Sequence, residues 1–331
     1  MLGTTYMKGE AYMIRQPTEL LAKEKKLRIL IAGYPGIGKS TLGLSAPNAL
    51  HIDVDFGADR IEPRYRRPYI QPQSYNEILQ DLTPLNLKDY DTLVFDTGGK
   101  LISLMGLWAI KQDPKNGKRD GNLSLQGYGV VGKEFVRLMD YCFYELDKHI
   151  VVLFHALEDK DGDNIRLRLM VEGQTKNNVW IPMDLGGFME MYGNDRTLGL
   201  SNCERYYAKG TRGITGVQKI PELSEKAPND FLTKLFNRYN ETAAKEIEES
   251  KAQRAEYESA VEEGVAIVAS VTDAESALAA VPKLKAITHA LTSEVEVNTA
   301  FNQKVKELGL IYDKKAKKYK PVDAEGKKGE K

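Results

Sequence analysis

Between residue 27 and about residue 240, short apolar runs alternate with longer amphipathic ones, the pattern of strands and crossover helices in an α/β sheet. Leu27 to Ala32 (LRILIA) and Tyr90 to Phe95 (YDTLVF) are apolar and rich in β-branched or aromatic residues, as strands buried on both faces should be. Ala49 to Val54 (ALHIDV), Pro68 to Gln71 and His149 to Phe154 (HIVVLF) complete a set of five. Between them, Ser74-x-x-Glu77 reads as a capping box opening a helix, and Lys133 to Leu146 has helical apolar spacing. From Ile165 to Ala208 shorter pieces, IRLRLMV, GFMEMYG, LGLSN and ERYYA, predict antiparallel strands that extend the sheet.

After Pro221 the pattern changes. Asn240 to Glu262 reads as one long, charged, mostly exposed helix, and Thr272-x-x-Glu275 and Ser293-x-x-Glu296 open two short helices, the first interrupted by Pro282. The predicted organisation is an extension over 1–24, an α/β core over 25–240, a linking helix over 241–263, a small helical module over 264–313 and a Lys-rich tail over 314–331.

Composition narrows this picture little. The 47 Lys and Arg balance 47 Asp and Glu, so any basic surface must be local. Two cysteines, Cys142 and Cys203, cannot make a disulfide framework, which fits a reducing compartment. No apolar signal core and no run of about 18 apolar residues is present, so the expectation is a cytoplasmic protein with no membrane partner.

The chemistry begins at Gly33-Tyr34-Pro35-Gly36-Ile37-Gly38-Lys39-Ser40-Thr41, which fits G-x-x-x-x-G-K-[ST] between a strand and a helix. Glycines let the backbone turn several N–H groups onto one anion, and a helix N-terminus adds partial positive charge. Such a loop binds the phosphates of a nucleoside triphosphate. Lys39 is the expected contact to the β- and γ-phosphates and Ser40 the Mg2+ ligand. Asp96, closing TLVFD, supplies the second carboxylate such a site needs for Mg2+. The run HIDVDFG ends the second strand in a way that resembles the RecA-like core, and that resemblance makes Asp55, or Asp53 if the strand register slips by two, the carboxylate expected to orient the attacking water.

Taken in order, GYPGIGKST, HIDVDFG, TLVFDTGG and VVLFHA resemble a RecA-like P-loop NTPase core, and more narrowly the phage-encoded RecA-like ATP-binding proteins that include Sak-type single-strand annealing recombinases. The resemblance covers about residues 25 to 240 and implies an ATPase that uses ATP and Mg2+, binds single-stranded DNA, assembles as a homo-oligomer and works alongside a single-strand binding protein in phage recombination. It makes His155 the candidate γ-phosphate sensor. It places a first DNA loop at Lys111, Lys115, Lys118 and Arg119, and Lys209 and Arg212 where a finger would reach a neighbouring subunit.

Arg64-Tyr65-Arg66-Arg67-Pro68-Tyr69 adds interleaved basic and aromatic residues for DNA. Basic segments of these kinds are more often solvated surface loops and turns. Glu158 to Asn164 invites a calcium loop, but residue 157, the required first ligand, is a leucine, so a hairpin turn is expected. Two other readings stand beside annealing: a motor or loader, helicase- or packaging-related, whose C-terminal module docks a protein, and a nucleotide-gated DNA-binding protein with negligible turnover.

Overall fold

The computed structural model describes residues 24–161, 164–171 and 175–322. The expected N-terminal extension, the end of the Lys-rich tail and the Gly162-Asp163 tip lie outside them. Two compact units divide at Ala243 and Ala244.

In the first unit the elements run β1 (Arg28–Gly33), α1 (Lys39–Gly43), β2 (Ala49–Asp53), β3 (Tyr69–Ile70), α2 (Tyr75–Asp81), β4 (Thr92–Asp96), α3 (Gly98–Gln112), α4 (Leu125–Asp140), β5 (His149–Asp161), β6 (Asn164–Leu169), α5 (Thr175–Asn178), β7 (Leu185–Tyr192), β8 (Asp195–Gly199) and β9 (Val217–Lys219). The sheet order is β3-β2-β4-β5-β1-β7-β8-β9, with β6 paired to β5. The strands from β3 through β7 are parallel, while β8, β9 and β6 are antiparallel to their neighbours. This is a mostly parallel α/β sheet with an antiparallel extension, the architecture the hydrophobic pattern predicts.

The central strands are apolar along their length because both faces are covered. One face packs Leu30, Ile52, Phe95, Val152 and Phe154 beneath Leu101, Met105, Phe135 and Leu138 of α3 and α4. The other packs Ile29, Ile31, Val94, Val151 and Leu153 against Leu42, Leu232, Leu235 and Phe236. Ser74 caps α2 by accepting from the Glu77 amide, and the Glu77 carboxylate reaches back to the Gln73 amide at 2.8 Å.

Several expectations need correction. β5 continues past Phe154 as far as Asp161, because β6 pairs along its protruding half. ERYYA is not a strand; the Cys203 amide bonds Tyr206 O in a turn. The basic stretch after α3 is an ordered loop in which buried Asn116 donates to Ala109 O at 2.9 Å and accepts from the Ser124 amide at 2.8 Å.

The helix expected over 240–262 is longer: α6 spans Phe231–Ala269. In the second unit α7 (Ala274–Ala286) is capped by Asp273, with Ser276 completing the box, and it runs through Pro282 without interruption. α8 (Ser293–Glu307) takes Thr292 as its N-cap, while the Ser293 hydroxyl accepts from the Ala290 amide. The Lys-rich segment forms a hairpin of β10 (Leu310–Asp313) and β11 (Lys318–Pro321), so this module is not purely helical. Its core comprises Val271, Ala277, Ala280, Leu284, Val297, Phe301 and Val305.

Candidate functional site: the phosphate loop and its carboxylates

The loop after β1 can turn sharply because Gly36 and Gly38 hold φ of 77° and 102°. Gly33 meets a different demand, since a Cβ there would sit 2.9 Å from the Met189 carbonyl oxygen on β7. Gly38 caps α1 with no side chain bonding the first turn, so the amide N–H groups of that turn stay open to an anion. Arg196 of β8 braces the loop by donating to Ile37 O at 3.1 Å, and Asn229 braces α1 by donating to Thr41 O at 2.8 Å.

Lys39 is only 6% exposed. Its Nζ donates to Tyr34 O at 2.8 Å and lies 3.4 Å from Nδ1 of His155. Burial lowers its pKa, while Asp96 and Asp55 oppose that shift. In the parallel register Gly33 lies opposite His155, which is how the end of β5's core segment reaches the loop. Burial and the Lys39 charge lower the His155 pKa, so the ring is neutral near pH 7 and its Nδ1 accepts from the ammonium.

β4 is separated from β1 by β5, yet its last residue, Asp96, returns to the loop. Asp96 accepts from the Ser40 hydroxyl and lies 3.3 Å from Nε2 of His51. Burial pushes this carboxyl up, but the bonds to His51 and Ser40 and the charge of Lys39 outweigh it and hold it below the usual carboxylate range. Facing a carboxylate, His51 Nε2 must carry the proton. His51 went unread in the sequence; its one signal is a polar residue inside an otherwise apolar buried strand.

The two water-orienting candidates separate clearly. Asp53 is fully buried and accepts from the Gly57 and Ala58 amides and from Gln71 Nε2, all within 2.9 Å, so its oxygens are used in shaping the turn. Asp55 is partly exposed, its backbone amide donates to Asp96 O at 3.1 Å, and its charge acts on both Lys39 and His155.

The remaining candidates are not brought to this cluster. Lys111, in the last turn of α3, and Lys115, Lys118 and Arg119 on the loop that follows are exposed. Tyr65 is buried in the core, Arg64 pairs with Glu62, and Arg66 donates to Ile61 O and Asp59 O, so these side chains shape a turn instead of offering a stacking surface. Arg67 and Tyr69 remain exposed. Lys209 donates to Met183 O, and the Arg212 guanidinium lies 5.4 Å from the Tyr239 ring centre. Both lie against their own subunit here.

Mg2+ fits the donor set. Among the described residues no group of three or more His, Cys, Asp or Glu could hold a metal alone. A phosphate-loop Mg2+ needs only one or two protein ligands beside substrate oxygens, and the Ser40–Asp96 pair supplies them.

A glycine cradle opening a helix, a buried lysine inside it and a strand-end carboxylate bonded to the loop serine define a P-loop NTPase. The chain belongs to the AAA domain family, which matches residues 25–212. Among solved structures it is similar to the flagellar accessory protein FlaH from Methanocaldococcus jannaschii, at 11% identity over 59% of this chain and 90% of that one, with a TM-score of 0.32. No curated protein matches. No helix among the described residues is long and apolar enough to cross a membrane.

Proposed function

We propose that the chain binds ATP with Mg2+, hydrolyses it to ADP and phosphate, and uses this cycle to act on single-stranded DNA, promoting annealing in phage recombination. The convergence of Lys39, Asp55, Asp96 and His155 on one glycine loop carries the hydrolytic part. The loop amides and Lys39 hold the triphosphate, and Ser40 and Asp96 hold Mg2+, which offsets phosphate charge when bound. Asp55 orients water toward the γ-phosphorus; the new P–O bond forms as the bond to the β-phosphate bridge breaks. His155, hydrogen-bonded to Lys39, registers whether the γ-phosphate is present. The base enters a cavity of about 350 Å³ beside Gly38, Thr41, Arg196 and Phe231.

The DNA part is supported by the order of motifs shared with the Sak-type group, which also favours a homo-oligomer and a single-strand binding protein as partners. The test measures ATP hydrolysis and complementary-strand annealing, with and without single-stranded DNA, for wild type and Lys39→Ala. DNA-stimulated turnover and annealing, both lost in Lys39→Ala, are expected. Unchanged ATP binding in that variant refutes the phosphate-site assignment. Intact binding at background turnover replaces the enzyme with a nucleotide-gated binder, and directional unwinding without annealing replaces it with a motor.

A further inference from the structure

A second concave site lies beyond the phosphate loop, between the β5–β6 hairpin, α5 and the segment after β8. This groove holds about 940 Å³ and is lined by five basic side chains, two acidic ones and four aromatic rings. None of these residues was a candidate for DNA contact on sequence grounds.

The aromatic rings are seated, not merely exposed. Trp180 lies where a Cβ on Gly186 of β7 would come within 2.5 Å of its Cζ3, and the Tyr206 hydroxyl occupies the place a Cβ on Gly199 of β8 would take. Tyr206 stacks on Phe188 at 5.2 Å, and Tyr207 meets Trp180 edge-on at 4.9 Å while remaining 54% exposed. The sheet thus gives up side chains at two glycines to fix a stacking surface. Arg168, Lys176 and Arg205 stand exposed around it; Arg168 is paired with Asp159 and Arg205 with Glu190.

We propose that this groove is where the chain binds a single strand of nucleic acid, with bases stacked on Tyr207 and Trp180 and phosphates drawn to Arg168, Lys176 and Arg205. An anionic small molecule would need the charge but not the row of rings, and a duplex keeps its base faces covered. Unpaired bases on a charged backbone use both. The groove also abuts the nucleotide site. The Tyr34 hydroxyl in the phosphate loop donates to Glu158 at 2.6 Å on the hairpin stem, and Glu190 and Arg205 act on the same phenol. This proposal rests on the single-strand reading above and relocates the contact from the loop at Lys111 to Arg119.

The test uses the full chain and fluorescence anisotropy with labelled oligothymidylate, oligouridylate and a blunt DNA duplex at two salt concentrations. Tyr207→Ala is expected to weaken single-strand binding roughly ten-fold. Arg168→Ala and Lys176→Ala should each weaken it and reduce the salt slope by about 0.7. Lys115→Glu should change affinity less than about two-fold, as a phosphate contact outside the groove would not. In a Trp108→Phe background, Trp180 emission should be quenched by the strand. Thermal melting checks folding, and Lys176, exposed on α5, keeps the test valid if Tyr207→Ala fails to fold.

Groove variants at wild-type affinity, with binding lost in Lys115→Glu, overturn the groove while leaving the function intact. Wild type with no affinity for either single strand overturns both. Duplex bound as tightly as single strand, or Trp180 emission unmoved, removes the stacking role and with it the proposal.

Discussion

Replacing His51 with alanine should damage both the fold and the magnesium step. His51 is 1% exposed and its Nε2 lies 3.3 Å from the carboxylate of Asp96, itself 7% exposed. A hydrogen bond to a charged group contributes roughly 1.5–3 kcal/mol, and deleting one partner leaves the other buried with only Ser40 to satisfy it. Loss of the ring adds a cavity, so about 3 kcal/mol of destabilisation is expected in urea unfolding at pH 8 without nucleotide. Partners that orient a metal ligand typically affect metal affinity by about 10–100-fold. The Mg2+ concentration giving half-maximal ATP turnover should therefore rise about ten-fold or more. His51→Gln keeps an N–H donor of similar reach and should restore most of both effects. If His51→Ala showed wild-type Mg2+ dependence, Asp96 would need no orienting partner and the account of this site would be wrong.

Gly98→Ala should be among the most damaging small substitutions, because its Cβ would lie 2.4 Å from Phe154 Cζ and 2.7 Å from Val152 Cγ1, both side chains fully buried. Overpacking of this kind costs about 1–3 kcal/mol, and an unchanged melting temperature would refute the packing described. His149, buried against Phe236 and accepting from the Leu27 amide, has its pKa pushed down to about 4, chiefly by burial. A depressed imidazole contributes stability that is complete above its ordinary value of 6.5 and fades as pH falls toward 4. Urea midpoints should reveal up to about 3 kcal/mol lost in that window, and a flat profile, or an unchanged slope in His149→Asn, would contradict it. Burial pushes the Cys142 thiol up, whereas Cys203 is exposed, so a thiol reagent should label Cys203 quickly and Cys142 only after unfolding.

Much of the sheet was legible because its strands are buried on both faces, which leaves continuous apolar runs, and because the glycine loop is a local motif. Asp96 could be read for the same reason: a carboxylate closing an apolar strand has few roles. What escaped depends on neighbours distant in the chain. His51 acquires its role only when β2 pairs with β4, and Arg196 lies 159 residues from the Ile37 carbonyl it braces. In the basic segment at 64–67 the charge pattern does not reveal that Tyr65 turns inward and Arg66 folds onto its own backbone. Trp180 and Tyr206 gave no local signal either, since the glycines that seat them belong to β7 and β8.

β5 is one unbroken strand from His149 to Asp161, hydrogen-bonded on both flanks in its first half and joined to β6 in its second. His155 and Glu158 are three residues apart on it, roughly 10 Å of extended chain with no hinge between them. One touches the lysine of the phosphate loop and the other its tyrosine. The hairpin is therefore a stiff lever anchored in the middle of the sheet. The contacts with Lys39 and Tyr34 thus sit on one continuous strand, the inner one within the parallel sheet and the outer one on the arm that β6 pairs.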